Sequence, residues 1–241
     1  MIVCVDSGNT RVKWAAHDGN AWLAQGAAAQ GDLAGLAALP GSLPAPAVVM
    51  AANVAGQAAA AAIAEALAPW AGRLAWARSA AAGGGVANGY ANPGRLGVDR
   101  WCALIGARAL SSGACLVVGA GTATTIDTLD AGGRFLGGLI LPGFDLMRAA
   151  LARNTAALPL ADGSYATLPT TTEDAIFSGC LEAQLGAIER AWERLAGERE
   201  CLLFGGGAPL LGLHLVIPHR RVDNLVLEGL RILAGETVQH G

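Results

Sequence analysis

Asp6-Ser7-Gly8-Asn9-Thr10 puts one carboxylate, two hydroxyls, one amide and a glycine into five consecutive positions behind the apolar run 2–5. A tight glycine turn between antiparallel strands turns backbone N–H groups outward, and these bind phosphate oxygens without help from a lysine. In an ATP site built this way the amides of Gly8 to Thr10 and the Thr10 hydroxyl hold phosphates, and Asp6 holds Mg2+ through water. An ordinary hairpin turn uses the same residue types. A second copy favours the phosphate reading. About half a chain later Leu116-Val117-Val118 runs into Gly119-Ala120-Gly121-Thr122-Ala123, again a strand followed by a small, polar turn.

Leu96-Gly97-Val98-Asp99-Arg100-Trp101 offers a second chemistry. As the N-cap of the helical run that follows, Asp99 accepts a backbone N–H. As a general base, it takes a proton from a substrate hydroxyl while Arg100 binds an anionic group beside it. Both readings stand. Tyr90, one of two tyrosines, lies in a glycine-rich stretch and reads equally as packing or as part of a site, whereas Trp101 reads as core.

Composition removes other classes. The chain has 241 residues, with 16 basic and 19 acidic side chains for a formal charge of −3, and is 53% hydrophobic. That balance supplies no electrostatic footprint for nucleic acid or for an anionic membrane. Lys13 is the only lysine and follows Val12, so the Gly-Lys step of a Walker A loop is absent, as is the Val-Ala-Ile-Lys strand of protein kinases. Cys4, Cys102, Cys115, Cys180 and Cys201 form no Cys-x-x-Cys pair and read as buried reduced thiols of a cytoplasmic protein. His214 and His219 read as surface or loop residues rather than zinc ligands. Residues 33–64 carry no charge, but Pro40, Pro44, Pro46, Asn53 and Gln57 interrupt them and alanine dominates the rest, so they read as soluble structure. The N-terminus lacks a basic n-region and reads as a strand, not a signal peptide.

The elements that must position these residues follow from periodicity and turn chemistry. Residues 2–5, 11–16 and a third stretch from Ala21 form a meander of short strands. Residues 116–118, 124–129 and 135–141 repeat it in the same order, which points to an internal duplication. A Pro-rich loop, a strand at 47–54, an Ala-rich helix at 58–67, a strand at 73–77 and a helix at 100–110 complete the first half. Helices at 144–152 and 175–196, a strand at 201–204 and a helix at 225–234 complete the second. Residues 79–88 read as a loop. The expected architecture is a two-lobed α/β protein, residues 1–112 and 113–241, with glycine turns facing each other and a nucleotide in the cleft between the lobes.

These strings resemble the motifs of the type III pantothenate kinases. The resemblance rests on Asp6 through Trp14, Leu96 through Arg100, Gly121 through Asp127 and Gly137 through Gly143. It continues through Thr172-Glu173-Asp174-Ala175-Ile176 with Ser178-Gly179, Gly205-Gly206-Gly207-Ala208 and Asn224 through Leu230, in family order over nearly the whole chain. It implies an actin/hexokinase-like fold of two duplicated ribonuclease-H-like lobes and ATP-dependent phosphorylation of pantothenate, the first step toward coenzyme A. It further implies that Asp6, Ser7, Gly8, Asn9, Thr10, Arg11, Val12, Lys13 and Thr122 bind ATP. Tyr90, Gly97, Val98, Asp99 and Arg100 would line the pantothenate site, with Asp99 the base. Thr172 would reach pantothenate across a homodimer interface, and the Gly205-Gly206-Gly207 turn would lie near the nucleoside. The implied cofactors are Mg2+ with ATP and a monovalent cation, K+ or NH4+. For the latter, many members carry Asp before Ala-Gly-Thr, where this chain has Gly119. Other readings on the same fold are a different small-molecule kinase, a polyphosphate hydrolase, or a non-catalytic accessory factor for transcription. The ordered motifs, with Asp6 and Asp99 both present, favour the kinase.

Overall fold

The computed structural model describes residues 1–154 and 162–240. The chain forms β1 (Ile2–Ser7), β2 (Arg11–His17), β3 (Trp22–Ala29), the one-turn helices α1 (Ala34–Ala37) and α2 (Leu39–Ser42), β4 (Val48–Asn53), α3 (Gln57–Ala66) and β5 (Leu74–Trp76). A short hairpin of β6 (Ala82–Gly83) and β7 (Val86–Asn88) precedes α4 (Val98–Leu110). Then come β8 (Ala114–Ala120), β9 (Ala123–Leu129), β10 (Arg134–Pro142), α5 (Phe144–Asn154), α6 (Thr172–Trp192), β11 (Arg199–Phe204), α7 (Ala208–His214), β12 (Arg220–Arg221) and α8 (Leu225–His240).

Two compact units result. The first holds residues 1–112, 133–135 and 224–241; the second holds 113–132 and 136–223. This differs from a simple cut after residue 112. Helix α8 packs on α4, β1 and β4 of the first unit, because its buried Leu225, Leu227 and Leu230 need an apolar surface and those elements supply it. Arg134 and Phe135 count with the first unit because they pair with β7.

The first unit's sheet has the order β3-β2-β1-β4-β5, with β1 antiparallel to β2 and parallel to β4. Strands β1 and β4 are central and covered on both faces, which explains their nearly continuous apolar sequences. Val3, Val5, Val12, Trp14, Val49 and Ala51 face a core closed by Leu36, Leu39, Ile63, Leu67 and Trp70. The stretch expected as a Pro-rich loop therefore contains two helical turns, which carry Leu36 and Leu39 into that core.

The second unit repeats the arrangement. Strand β8 is antiparallel to β9 and parallel to β11, which is parallel to β12, and β10 flanks β9. Every residue of β8 is buried, and Leu116, Val118 and Ala120 pack with Leu181, Leu185 and Ile188 of α6. The same strand order in both units, with matching senses for β1–β2 and β8–β9, β1–β4 and β8–β11, and β4–β5 and β11–β12, fits the duplication inferred from the two meanders.

Residues 79–88 are not a plain loop. Gly84 and Gly85 have φ of +56° and +76°, the left-handed pair that a two-residue hairpin turn requires. The Asn88 side chain donates to the carbonyls of Ala80 and Pro93, and Val86 is buried. Few side chains in that run carry a strand pattern, so the turn glycines were its main sequence signal. Among the described residues no helix is long and apolar enough to cross a membrane.

Candidate active site

In the first unit, β1 ends in the Gly8 turn and carries Asp6 directly opposite Lys13 of β2. Ser7 is fully buried; its Oγ accepts a hydrogen bond from Gln30 Nε2 at 3.3 Å and its carbonyl accepts from Val54 N at 3.0 Å. The turn is tied by Gly8 N to Arg11 O at 3.0 Å and by Gln30 N to Thr10 O at 2.8 Å. The Gly8 amide is thus engaged inside the turn, while Asn9 and Thr10 lie exposed at its tip. Val12 points into the core and Arg11 is exposed, so of the eight-residue run expected at ATP, Val12 offers only its backbone.

Helix α4 brings a second carboxylate to Asp6. Burial pushes the Asp6 carboxyl from 3.8 up to about 6, the nearby Asp99 carboxylate adds to the rise, and Lys13 opposes it. Asp99 is not the N-cap. That position belongs to Gly97, which makes no side-chain cap, and Asp99 lies one residue inside the first turn, where its negative charge suits the helix dipole. Its Oδ1 accepts from Arg100 N at 2.8 Å. A methyl group on Gly97 would come within 2.7 Å of that same Oδ1, so the glycine leaves room for the carboxylate.

Arg100 is 5% exposed, and its guanidinium donates to Tyr90 Oη at 2.9 Å. It lies over the rings of Tyr90 and Phe135, which stack with centroids 5.5 Å apart. Asn88 Oδ1 accepts from Tyr90 N at 3.1 Å and fixes the start of this loop. Val98 and Gly97 are half-buried beside these groups. The fold therefore brings Asp6, Lys13 and Asp99 into one charge cluster and Tyr90 against Arg100. Sequence reasoning missed Gln30, Asn88 and Phe135. A lone glutamine at a strand end and a phenylalanine in an apolar strand carry no local signal of such work.

Thr122 belongs to the second unit. There Gly121 N donates to Ala123 O at 3.1 Å, the counterpart of the Gly8 bond, and Thr122 is exposed at the tip. Glycines pack around this turn. Gly143 N donates to Thr122 O at 2.9 Å and Gly207 N to Ala120 O at 3.0 Å. A Cβ on Gly143 would lie 2.1 Å from Gly121 O, and one on Gly205 2.3 Å from Ala120 O, so bare backbone is required at both. Thr172 is the exposed first residue of α6; the cap is its neighbour Thr171, whose Oγ1 accepts from Asp174 N at 3.2 Å.

The donor set suits a divalent cation arriving with a nucleotide. Asp6 and Asp99 concentrate negative charge, the condition a hard, oxygen-seeking ion relieves. No group of three or more His, Cys, Asp or Glu gathers among the described residues, so such an ion would complete its shell with phosphate and water. The five cysteines are free and buried, and burial pushes the Cys201 thiol up to about 12, well away from reactivity. His214 packs against the Tyr165 ring and His219 Nδ1 lies 2.9 Å from Ile217 O.

Comparison with known proteins places these features in a family. Residues 2–194 match the family model described as type III pantothenate kinase. A protein named type III pantothenate kinase from Dechloromonas aromatica (strain RCB) is 57% identical over 235 residues, covering 97% of this chain and 99% of its own length. One of the same name from Aromatoleum aromaticum is 54% identical over 239 residues, covering 98% of each. Among solved structures, a Baf family protein of Campylobacter jejuni superposes with a TM-score of 0.63 at 18% identity, covering 98% of this chain and 99% of its own. The activator of 2-hydroxyisocaproyl-CoA dehydratase from Clostridium difficile, with bound ADPNP, gives 0.58 at 12% identity, covering 99% and 96%. The fold is the actin/hexokinase-like one.

Proposed function

The chain belongs to the type III pantothenate kinase family, and on that premise we propose that it transfers the γ-phosphoryl group of ATP to the primary hydroxyl of pantothenate, giving 4′-phosphopantothenate and ADP. The observation that carries the reading is the juxtaposition of Asp6 and Asp99 within a chain that matches pantothenate kinases along its whole length.

Phosphoryl transfer asks a protein for positioning and charge neutralisation rather than covalent chemistry. Asp99 is the base. Its Oδ1 is anchored on the Arg100 amide, which leaves Oδ2 to accept the hydroxyl proton as the alcohol oxygen bonds to the γ-phosphorus and the bond to the β,γ-bridging oxygen breaks. The proton then passes from Asp99 to solvent. Arg100, pre-set against Tyr90 and Phe135, holds the pantothenate carboxylate, and Tyr90, Gly97 and Val98 line that pocket. Asn9 and Thr10, exposed at the tip of the first unit's turn, serve ATP phosphates while buried Ser7 braces that turn through Gln30, and Lys13 and Arg11 add positive charge; Thr122, exposed at the tip of the second unit's own turn, is likewise assigned to ATP. Asp6 would hold Mg2+, which when bound would supply charge neutralisation on the phosphates.

A homodimer, with Thr172 contacting the partner's pantothenate, is part of the same proposal. Its support is exposed apolar side chains on β10 and the start of α5: Leu136 and Ile140, on one side of β10, are 55% and 63% exposed, and Leu139 and Leu146 are 41% and 37% exposed.

Asp99→Asn tests the chemistry. The variant should bind Mg-ATP as the parent does but lose about 10²–10⁴-fold in pantothenate-dependent ADP formation. Turnover within a few-fold of the parent would confine Asp99 to a helix-dipole role. Growth of a strain deprived of its own pantothenate kinase, restored by the parent and not by the variant, checks the reaction in the cell.

A further inference from the structure

The family pattern associates a carboxylate on the strand before Ala-Gly-Thr with a monovalent cation. In this chain that position is Gly119 on β8, and the Phe204 ring and the Thr125 hydroxyl stand where such a group would begin. Phe204 of β11, Gly119 of β8 and Thr125 of β9 form one row across three neighbouring strands. A Cβ built on Gly119 would lie 2.8 Å from Phe204 Cζ, 2.9 Å from Thr125 Oγ1 and 3.2 Å from Phe204 Cε1. Both close contacts are shorter than carbon tolerates, and a carboxylate would need two further shells of atoms beyond that Cβ. The Phe204 ring fills the volume that the absent side chain leaves.

The nearby carboxylate of Asp127 does not take the place of the missing one. Ala120 O accepts from Gly207 N and Thr122 O from Gly143 N. Asp127 shares the Thr125 face of β9, but its Cα pairs with Val117, so it stands one side-chain repeat, roughly 7 Å, along the strand from the Gly119 row. It is 1% exposed there. A hard cation selects several oxygen ligands, and the Cζ end of an aromatic ring offers none; the ring edge carries the positive end of its quadrupole.

We infer that phosphoryl transfer by this chain does not draw on K+ or NH4+ at β8, the Gly119–Phe204 pair having replaced the carboxylate and its ion with apolar packing. The inference rests on the kinase reading above, and the test separates the two. ADP formation with pantothenate and Mg-ATP is measured in sodium and Tris buffers free of K+ and NH4+. KCl or NH4Cl is then exchanged for NaCl at constant ionic strength. The expected rate stays within about three-fold across the series, and a larger rise with K+ or NH4+ overturns the inference. A second readout needs no turnover. The melting temperature of the Mg-ADP complex should be the same in KCl and NaCl, and a K+-specific rise above about 2 °C overturns the inference by itself. Absence of ADP formation in every buffer counts against the kinase reading, while equal melting temperatures still support a site closed to the ion.

Discussion

Asp6 works against its own surroundings. A carboxylate half-buried at a strand end, beside a second carboxylate, is costly to ionise, and its carboxyl accordingly rises from 3.8 to about 6. Ionisation is therefore harder in the folded chain than in the unfolded one. The stability this group contributes is complete below about pH 4 and is lost as the pH rises through about 6. Asp6→Asn removes the cost. In metal-free and nucleotide-free protein the variant should gain about 1–3 kcal/mol over the parent at pH 8 and almost nothing at pH 4. Urea unfolding at the two pH values measures this, and an equal or smaller gain at pH 8 would refute it. The same substitution should abolish Mg-dependent turnover, an exchange of function for stability that active-site charges commonly show. Asp6 and Asp99 were both legible as candidates from residue type and local string. Their mutual proximity was not, because it depends on where α4 docks against α8 and β4, and more than ninety residues separate them.

At the scale of elements, the string Asn224 through Leu230 carried no chemistry in the structure but a packing requirement. Gly229 of α8 and Gly106 of α4 face each other's backbones. A Cβ on Gly229 would lie 1.9 Å from Cys102 O, and one on Gly106 2.3 Å from Leu225 O. The two helices touch main chain to main chain, and α4 is the helix whose first turn presents Asp99 and Arg100. Gly229→Ala should cost about 2–4 kcal/mol in urea unfolding, because the clash falls on backbone that cannot rotate away. Gly235→Ala on the same helix meets nothing within 4 Å and should instead stabilise by up to about 1 kcal/mol through helix propensity. Equal effects at the two sites would show that helix propensity alone governs α8. Strands and helices with strong periodicity were readable in advance, β1, β8 and α6 among them. The β6–β7 hairpin and the helical turns α1 and α2 were not, because alanine, glycine and proline leave little side-chain pattern and their structure is decided by what they pack against.

For the whole molecule, assembly is measurable at β10. Ile140→Glu places a charge on the exposed side of β10 that Leu136 shares and should shift a dimer toward monomer in analytical ultracentrifugation, with less than about 1 kcal/mol effect on the fold of an exposed strand. An unchanged dimer would move the interface elsewhere. What the sequence alone determined is the family, the duplicated strand-turn-strand order and the identity of the charged residues, since these depend on local strings and on periodicity that each segment carries by itself. Tertiary structure alone decided the rest. It set α8 against α4 and β1, brought the Gln30 side chain to Ser7, and laid Phe204 across Gly119. Each of these is a matter of excluded volume or of a hydrogen bond between residues remote along the chain, and such contacts exist only once the strands are in register and the helices have docked.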